Sequence, residues 1–131
     1  EISAKNLAAG KDFLEENKKK EGVKTLPSGL QYKVLAEGSG KTPKAADNVT
    51  VNYKGTFING AEFDSSYKRG KPLTFQVDKV VKGWTEALQL MKEGSKWQLF
   101  IPPELGYGDR GGGPVPPNST LIFEVELISI K

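Results

Sequence analysis

From Leu30 onward the apolar side chains recur at every second position in one run after another, and that period changes only once. Leu30, Tyr32 and Val34 alternate with Gln31 and Lys33, and Val49, Val51 and Tyr53 with Thr50, Asn52 and Lys54. The pattern returns in Leu73, Phe75 and Val77, in Trp97, Leu99 and Ile101, and in Leu121, Phe123, Val125 and Leu127. A period of two places successive side chains on opposite faces, so each run predicts a strand with one buried and one wet face. Between them, Val81, Trp84, Leu88 and Met91 recur at three and four, which predicts one short amphipathic helix with Asp78 as N-cap and Gly94 as terminator. The Asn59-Gly60 pair predicts a type I′ corner that returns the chain through Ala61 and Phe63. Half-wet strands predict an antiparallel sheet covered on its dry face by that helix, an α+β fold. A chain of 131 residues suffices for one such core without disulfide or metal.

The opening segment, EISAKNLAAGKDFLEENKKKEG, predicts a helix over residues 1–22, with Lys18 to Lys20 in its last turn and Gly22 as C-terminal cap. Ala4, Leu7, Ala8 and Leu14 share one face, Ile2, Ala9 and Phe13 fall on nearly the opposite one, and Gly10 is the weak point. Two apolar stripes want two neighbours. Either the helix lies over its own domain, or it is the end of a stalk whose second face meets another helix or another copy. The boundary is expected at residues 22 and 23, with the domain running over 23–131. A start at Glu1, without Met or a signal-like run, predicts a mature or shortened form.

The chemistry is bounded by absences. There is no cysteine, hence no disulfide or thiol nucleophile, and no histidine, hence no Ser-His or Cys-His arrangement. Lys and Arg number 19 against 16 Asp and Glu, and their clusters, Lys18 to Lys20 and Lys68, Arg69 and Lys71, do not build the interleaved basic face of a nucleic-acid binder. No apolar run approaches the roughly 18 residues of a membrane span. What stands out is VNYKGTFINGAEFDSSY, where Asp64 follows Phe63 and has Tyr53, Phe57 and Tyr67 close by in sequence. A carboxylate on a buried side is costly unless paired. Asp64 is therefore a tuned acid or base, a metal ligand, or a hydrogen-bond acceptor in a binding site. Glu62, Asp47 and Asp109 have no metal-ligand spacing. The segment Gly106 to Asn118 holds five glycines and three prolines in 13 residues. A loop that long is usually functional, and Tyr107 and Val115 give it groups to hang over a cavity.

VNYKGTFINGAEFDSSYKRGKPLTFQV, then VVKGW, then LGYGDRGGGPVPPNSTLIFEVEL strongly resemble the FKBP-type peptidyl-prolyl cis-trans isomerases, over about residues 30–131. The leading helix followed by KTLPSGLQYKVL is also similar to the bacterial macrophage infectivity potentiator group. The resemblance implies a twisted antiparallel sheet, usually five-stranded, wrapped around one short helix and here preceded by an N-terminal helix. It implies peptidyl-prolyl isomerase activity assisting protein folding, with no cofactor. The non-catalytic alternative is a module that grips proline-containing segments as a holdase. Tyr53, Asp64, Tyr107 and Phe123 would be catalytic, and Phe63, Arg69, Phe75, Val80, Val81, Trp84 and Val115 would bind substrate, with Arg69 paired to Asp64 and Trp84 as the floor. Leu73 departs from the aromatic that many relatives carry there. Implied partners are proline-containing polypeptides and macrocyclic inhibitors of the rapamycin and tacrolimus types, with a homodimer formed only through a further N-terminal region. A periplasmic or outer-membrane setting is implied, and a cytoplasmic one stays open.

Overall fold

The computed structural model describes residues 2–130. Helix α1 (Ile2–Asn17) leads into β1 (Val23–Thr25), β2 (Gln31–Ala36), β3 (Asn48–Phe57), β4 (Glu62–Ser65), α2 (Ser66–Arg69), β5 (Leu73–Gln76), α3 (Lys82–Leu88), β6 (Lys96–Ile101) and β7 (Leu121–Ile130). All pairings are antiparallel, in the order β1-β2-β6-β7-β3-β4, with β5 also on β3. β4 faces Lys54 to Thr56 and β5 faces Asn48 to Val51, so these two short strands lie end to end along one edge of β3 with α2 between them. That division, together with the three-residue β1, gives seven strands among the described residues where five were expected.

The alternation sorts the faces as the sequence predicts. Val49, Val51 and Tyr53 of β3, Leu99 and Ile101 of β6, and Leu121, Phe123, Val125 and Leu127 of β7 form one buried cluster with Trp84, Ala87 and Leu88 of α3. Each such side chain contributes roughly 1.5–3 kcal/mol of burial. Asn52, Lys54, Gln98, Glu124 and Glu126 stay on the wetter face.

Three local expectations change. The hairpin is not type I′: Gly60 (φ 91) has a left-handed backbone but Asn59 does not. Phe57 accepts from Gly60 N and donates to Ala61 O, a three-residue turn ending in a left-handed glycine, and Asn59 Oδ1 takes the Ala61 N–H. Second, α3 is shorter than predicted and Asp78 does not cap it. Asp78 lies in a 3₁₀ turn, Val77–Lys79, and donates its own N–H to Ala45 O. The Thr85 hydroxyl binds Val77 O and fastens the helix start to that turn. Gly94 (φ 89) ends the turn into β6 rather than the helix, giving its N–H to Leu127 O.

Third, α1 stops at Asn17, before the lysine run, and Gly22 belongs to the turn entering β1. Its end is held by β2. Asn17 Nδ2 binds Gln31 Oε1 at 2.8 Å, and Gln31 Nε2 binds Leu14 O at 3.0 Å. Phe13 meets Phe100 on the face of β6 opposite Leu99 and Ile101, with ring centroids 6.0 Å apart. The face that α1 presents to the domain centres on Asn6, Gly10, Phe13 and Asn17 and is half polar, with Leu7 and Leu14 of the first apolar stripe half-buried beside it and Phe13 drawn from the second.

Candidate active site

The register of β3 builds the site. Gly55 stands opposite both Asp64 of β4 and Phe123 of β7. A Cβ at Gly55 would lie 2.7 Å from the Phe123 ring and 2.8 Å from the Phe63 ring, so only glycine lets the two rings meet there. They do so edge to face, with centroids 5.6 Å apart. Trp84, rising from α3, makes the same kind of contact with Phe123 and with Tyr53, at 5.1 Å in each case. Such pairs add about 0.5–1.5 kcal/mol beyond area burial and fix ring orientation.

The rings enclose a cavity of about 540 Å³ lined by Tyr53, Phe63, Asp64, Leu73, Lys79, Val80, Val81, Trp84, Tyr107 and Phe123. Three other expected site residues lie outside that lining. Phe75 stands behind Trp84, 5.6 Å from its ring, because it sits on the far part of β3's edge. Val115 is buried in the core, where its backbone bridges to Gly112. Arg69 is exposed and reaches the site only through Asp64 and Tyr53. Leu73 and Lys79 line the cavity unanticipated. Leu73 had a signal, as the place where an aromatic was expected; Lys79 had none, since a lysine beside Asp78 reads as a solvated turn.

Asp64 is saturated with donors. Tyr53 Oη gives it a hydrogen bond at 2.7 Å, Arg69 Nη1 one at 2.6 Å and the Ser65 amide one at 2.9 Å. Arg69 also binds Tyr53 Oη and stands 5.4 Å from the centre of its ring. Burial works to raise the Asp64 carboxyl, but the hydrogen bonds from Tyr53, Arg69 and Ser65 outweigh it and hold the group below the ordinary carboxylate range. Burial, then the Asp64 bond, pushes the Tyr53 phenol upward against the pull of Arg69. Near neutrality the pair is therefore carboxylate and phenol, and its geometry is that of an acceptor and its donors. Among the described residues no cluster of three potential metal ligands exists.

Ser65 caps α2 by accepting the Tyr67 and Lys68 amides, which sets Arg69 one helical turn beyond the cap, within reach of Asp64. The wholly buried Ser66 hydroxyl takes the Tyr53 amide at 2.8 Å and so ties α2 to β3. Tyr107, half exposed, leans over the opening from the long loop.

A family model described as FKBP-type peptidyl-prolyl cis-trans isomerase matches residues 39–128, more than half of the chain. The chain belongs to the FKBP-type peptidyl-prolyl cis-trans isomerase family. A second model, for the domain amino-terminal to FKBP-type isomerases, matches residues 1–34. This FKBP-type chain is 57% identical over 127 residues to the outer membrane protein MIP of Legionella longbeachae and 54% identical over 129 residues to FkpA of Escherichia coli K12. Those matches cover 96% and 98% of the chain but 54% and 48% of the relatives, so it spans about half the length of the curated proteins it matches. The crystal structure of Escherichia coli FkpA superposes with a TM-score of 0.97 at 53% identity, covering 99% of the chain and 61% of that structure. A Pseudomonas syringae peptidyl-prolyl cis-trans isomerase structure gives 0.91 at 39% identity, covering 98% of the chain and 96% of that structure.

Proposed function

We propose that this chain accelerates cis–trans rotation of X-Pro bonds in polypeptides by binding the twisted amide in the aromatic cavity. One observation carries the reading: a cavity with five aromatic rings in its wall whose lone acid is already ionised and engaged by three donors. Rotation faces a barrier of about 18–20 kcal/mol, because the C–N partial double bond must be lost. No proton need move. The twisted amide is less dipolar than the planar one, so an apolar, water-poor site favours it, and the rate gain is differential binding.

On this reading Phe63, Trp84 and Phe123 receive the prolyl ring, with Phe75 backing Trp84. Tyr107 donates to the substrate carbonyl, and the Val81 N–H holds the residue beside proline, next to Val80. Asp64, kept in place by Tyr53 and Arg69, shapes the polar side, and Val115 anchors the loop. Rapamycin-type and tacrolimus-type macrocycles fill the same cavity. The isomerase unit is residues 23–131, with 1–22 as an N-terminal helix that ends a stalk or linker, and a homodimer forms only through a region N-terminal to it. The name of the Legionella relative supports a cell-envelope setting; among the described residues no helix is long and apolar enough to cross a membrane.

Exchange spectroscopy on a proline peptide tests the reading, since the uncatalysed step takes tens to hundreds of seconds. A substoichiometric amount of the chain should speed it severalfold. Peptide binding without acceleration would overturn the enzymatic reading and leave a holdase.

A further inference from the structure

The N-terminal half of α1 reaches past the sheet to the loop that carries Tyr107. Asn6 Nδ2 donates to Pro117 O at 2.9 Å. The other end of that same peptide unit, the Asn118 N–H, donates to Gly108 O, also at 2.9 Å. Gly108 directly follows Tyr107, whose own carbonyl accepts the Gly111 amide. A peptide plane is rigid, so fixing its carbonyl aims its N–H. From helix to Tyr107 the chain of contact is therefore one side chain, one peptide plane and one carbonyl.

A second contact seats the helix. A Cβ at Gly10 would lie 2.2 Å from Thr120 Oγ1, so α1 lies closer to the start of β7 than any side chain at that position permits. Thr120 is buried and its hydroxyl finds no hydrogen-bond partner among the described residues; the Gly10 methylene is what covers it. Packing alone does not explain this end. A groove of about 310 Å³ stays open between Ala9, Phe57 and Pro116, whereas the ring contact with Phe100 lies at the other end of the helix.

We propose that α1 positions the mouth of the aromatic cavity, with Asn6 as the positioning residue for the Tyr107 loop and Gly10 on Thr120 as its seat. The functional part rests on the isomerase reading above. Displacing the N-terminal half of α1 changes how Tyr107 meets substrate.

The test uses the whole chain. Asn6→Leu removes the donor but keeps bulk and is the better helix former, as is alanine in Gly10→Ala. Amide hydrogen exchange at Asn118 and Gly111 should quicken about two- to tenfold in both, the equivalent of one lost hydrogen bond, while β3 and β7 amides keep their wild-type rates. Asn6→Gln, which keeps the amide donor, should stay closer to wild type. Catalytic kcat/KM on a proline peptide should fall in step with loop release. Unchanged loop exchange in both variants would overturn the proposal, as would equal acceleration in loop and strands, or a released loop with kcat/KM intact. If the wild-type chain catalyses nothing, the isomerase reading fails, and the exchange pattern still decides whether α1 holds the loop.

Discussion

At the scale of residues, the proposed reading is tested at Asp64. Its carboxyl is depressed in the folded chain, so it contributes stability that is complete above the unfolded value near about 4 and is lost as pH falls through the folded one. Tyr53, raised, marks the opposite edge: its contribution holds below about 10 and is lost above. Thermal midpoints should form a plateau between those edges, and the acid edge should flatten in Asp64→Asn. Both partners of the Asp64–Arg69 pair are more than a third exposed, 40% and 44%, so solvent screening keeps the pair a weak contributor to stability. Asp64→Asn, which keeps an acceptor of similar shape, should retain most activity. Asp64→Leu should lose about 1–3 kcal/mol more of transition-state binding by stranding the Tyr53 hydroxyl and Arg69; steady-state kcat/KM for the two variants checks this order. Trp84 meets both Tyr53 and Phe123. Trp84→Leu should fold but bind a rapamycin-type macrocycle about 1–2 kcal/mol more weakly, a loss that calorimetry measures directly.

At the scale of elements, α2 is the hinge between chemistry and fold. Ser66→Ala strands the buried Tyr53 amide and should cost about 1–3 kcal/mol of stability, read from the midpoint in denaturant at constant slope. Nothing in the sequence announced α2, because four residues carry no period; Ser65 and Gly70 were its only marks. The strands were legible because each buries one face, and a period of two survives any tertiary context. Phe63, Asp64, Trp84 and Phe123 were legible through the family resemblance. What the sequence misled on was where elements end. Asp78 had the chemistry of an N-cap, yet Thr85 fastens α3 to the preceding turn. Asn59-Gly60 had the chemistry of a type I′ corner, yet the turn takes in one more residue. On α1 the apolar count found Leu7, Phe13 and Leu14 but missed the polar part of the docked face, because Asn6, Gly10 and Asn17 dock through hydrogen bonds and a missing side chain.

At the scale of the whole molecule, α1 spends its inner face on its own domain and leaves Ala4, Ala8 and Ala9 exposed. Those alanines are too little for a stable pairing of so short a helix. This chain should therefore sediment with the mass of one copy, while a form extended at the N-terminus should sediment as two; equal copy numbers would contradict that. On the proposed reading the cavity binds without proton transfer, since Asp64 is depressed, Tyr53 is raised and the sequence has no histidine to titrate near neutrality. The most direct measurement is the catalysed exchange rate of a proline peptide between about pH 5.5 and 8.5, in water and in deuterium oxide. A flat profile with a solvent isotope ratio near unity is the expected result. A sigmoid centred near pH 6 that vanishes in Asp64→Asn would contradict it and make this carboxylate a proton carrier.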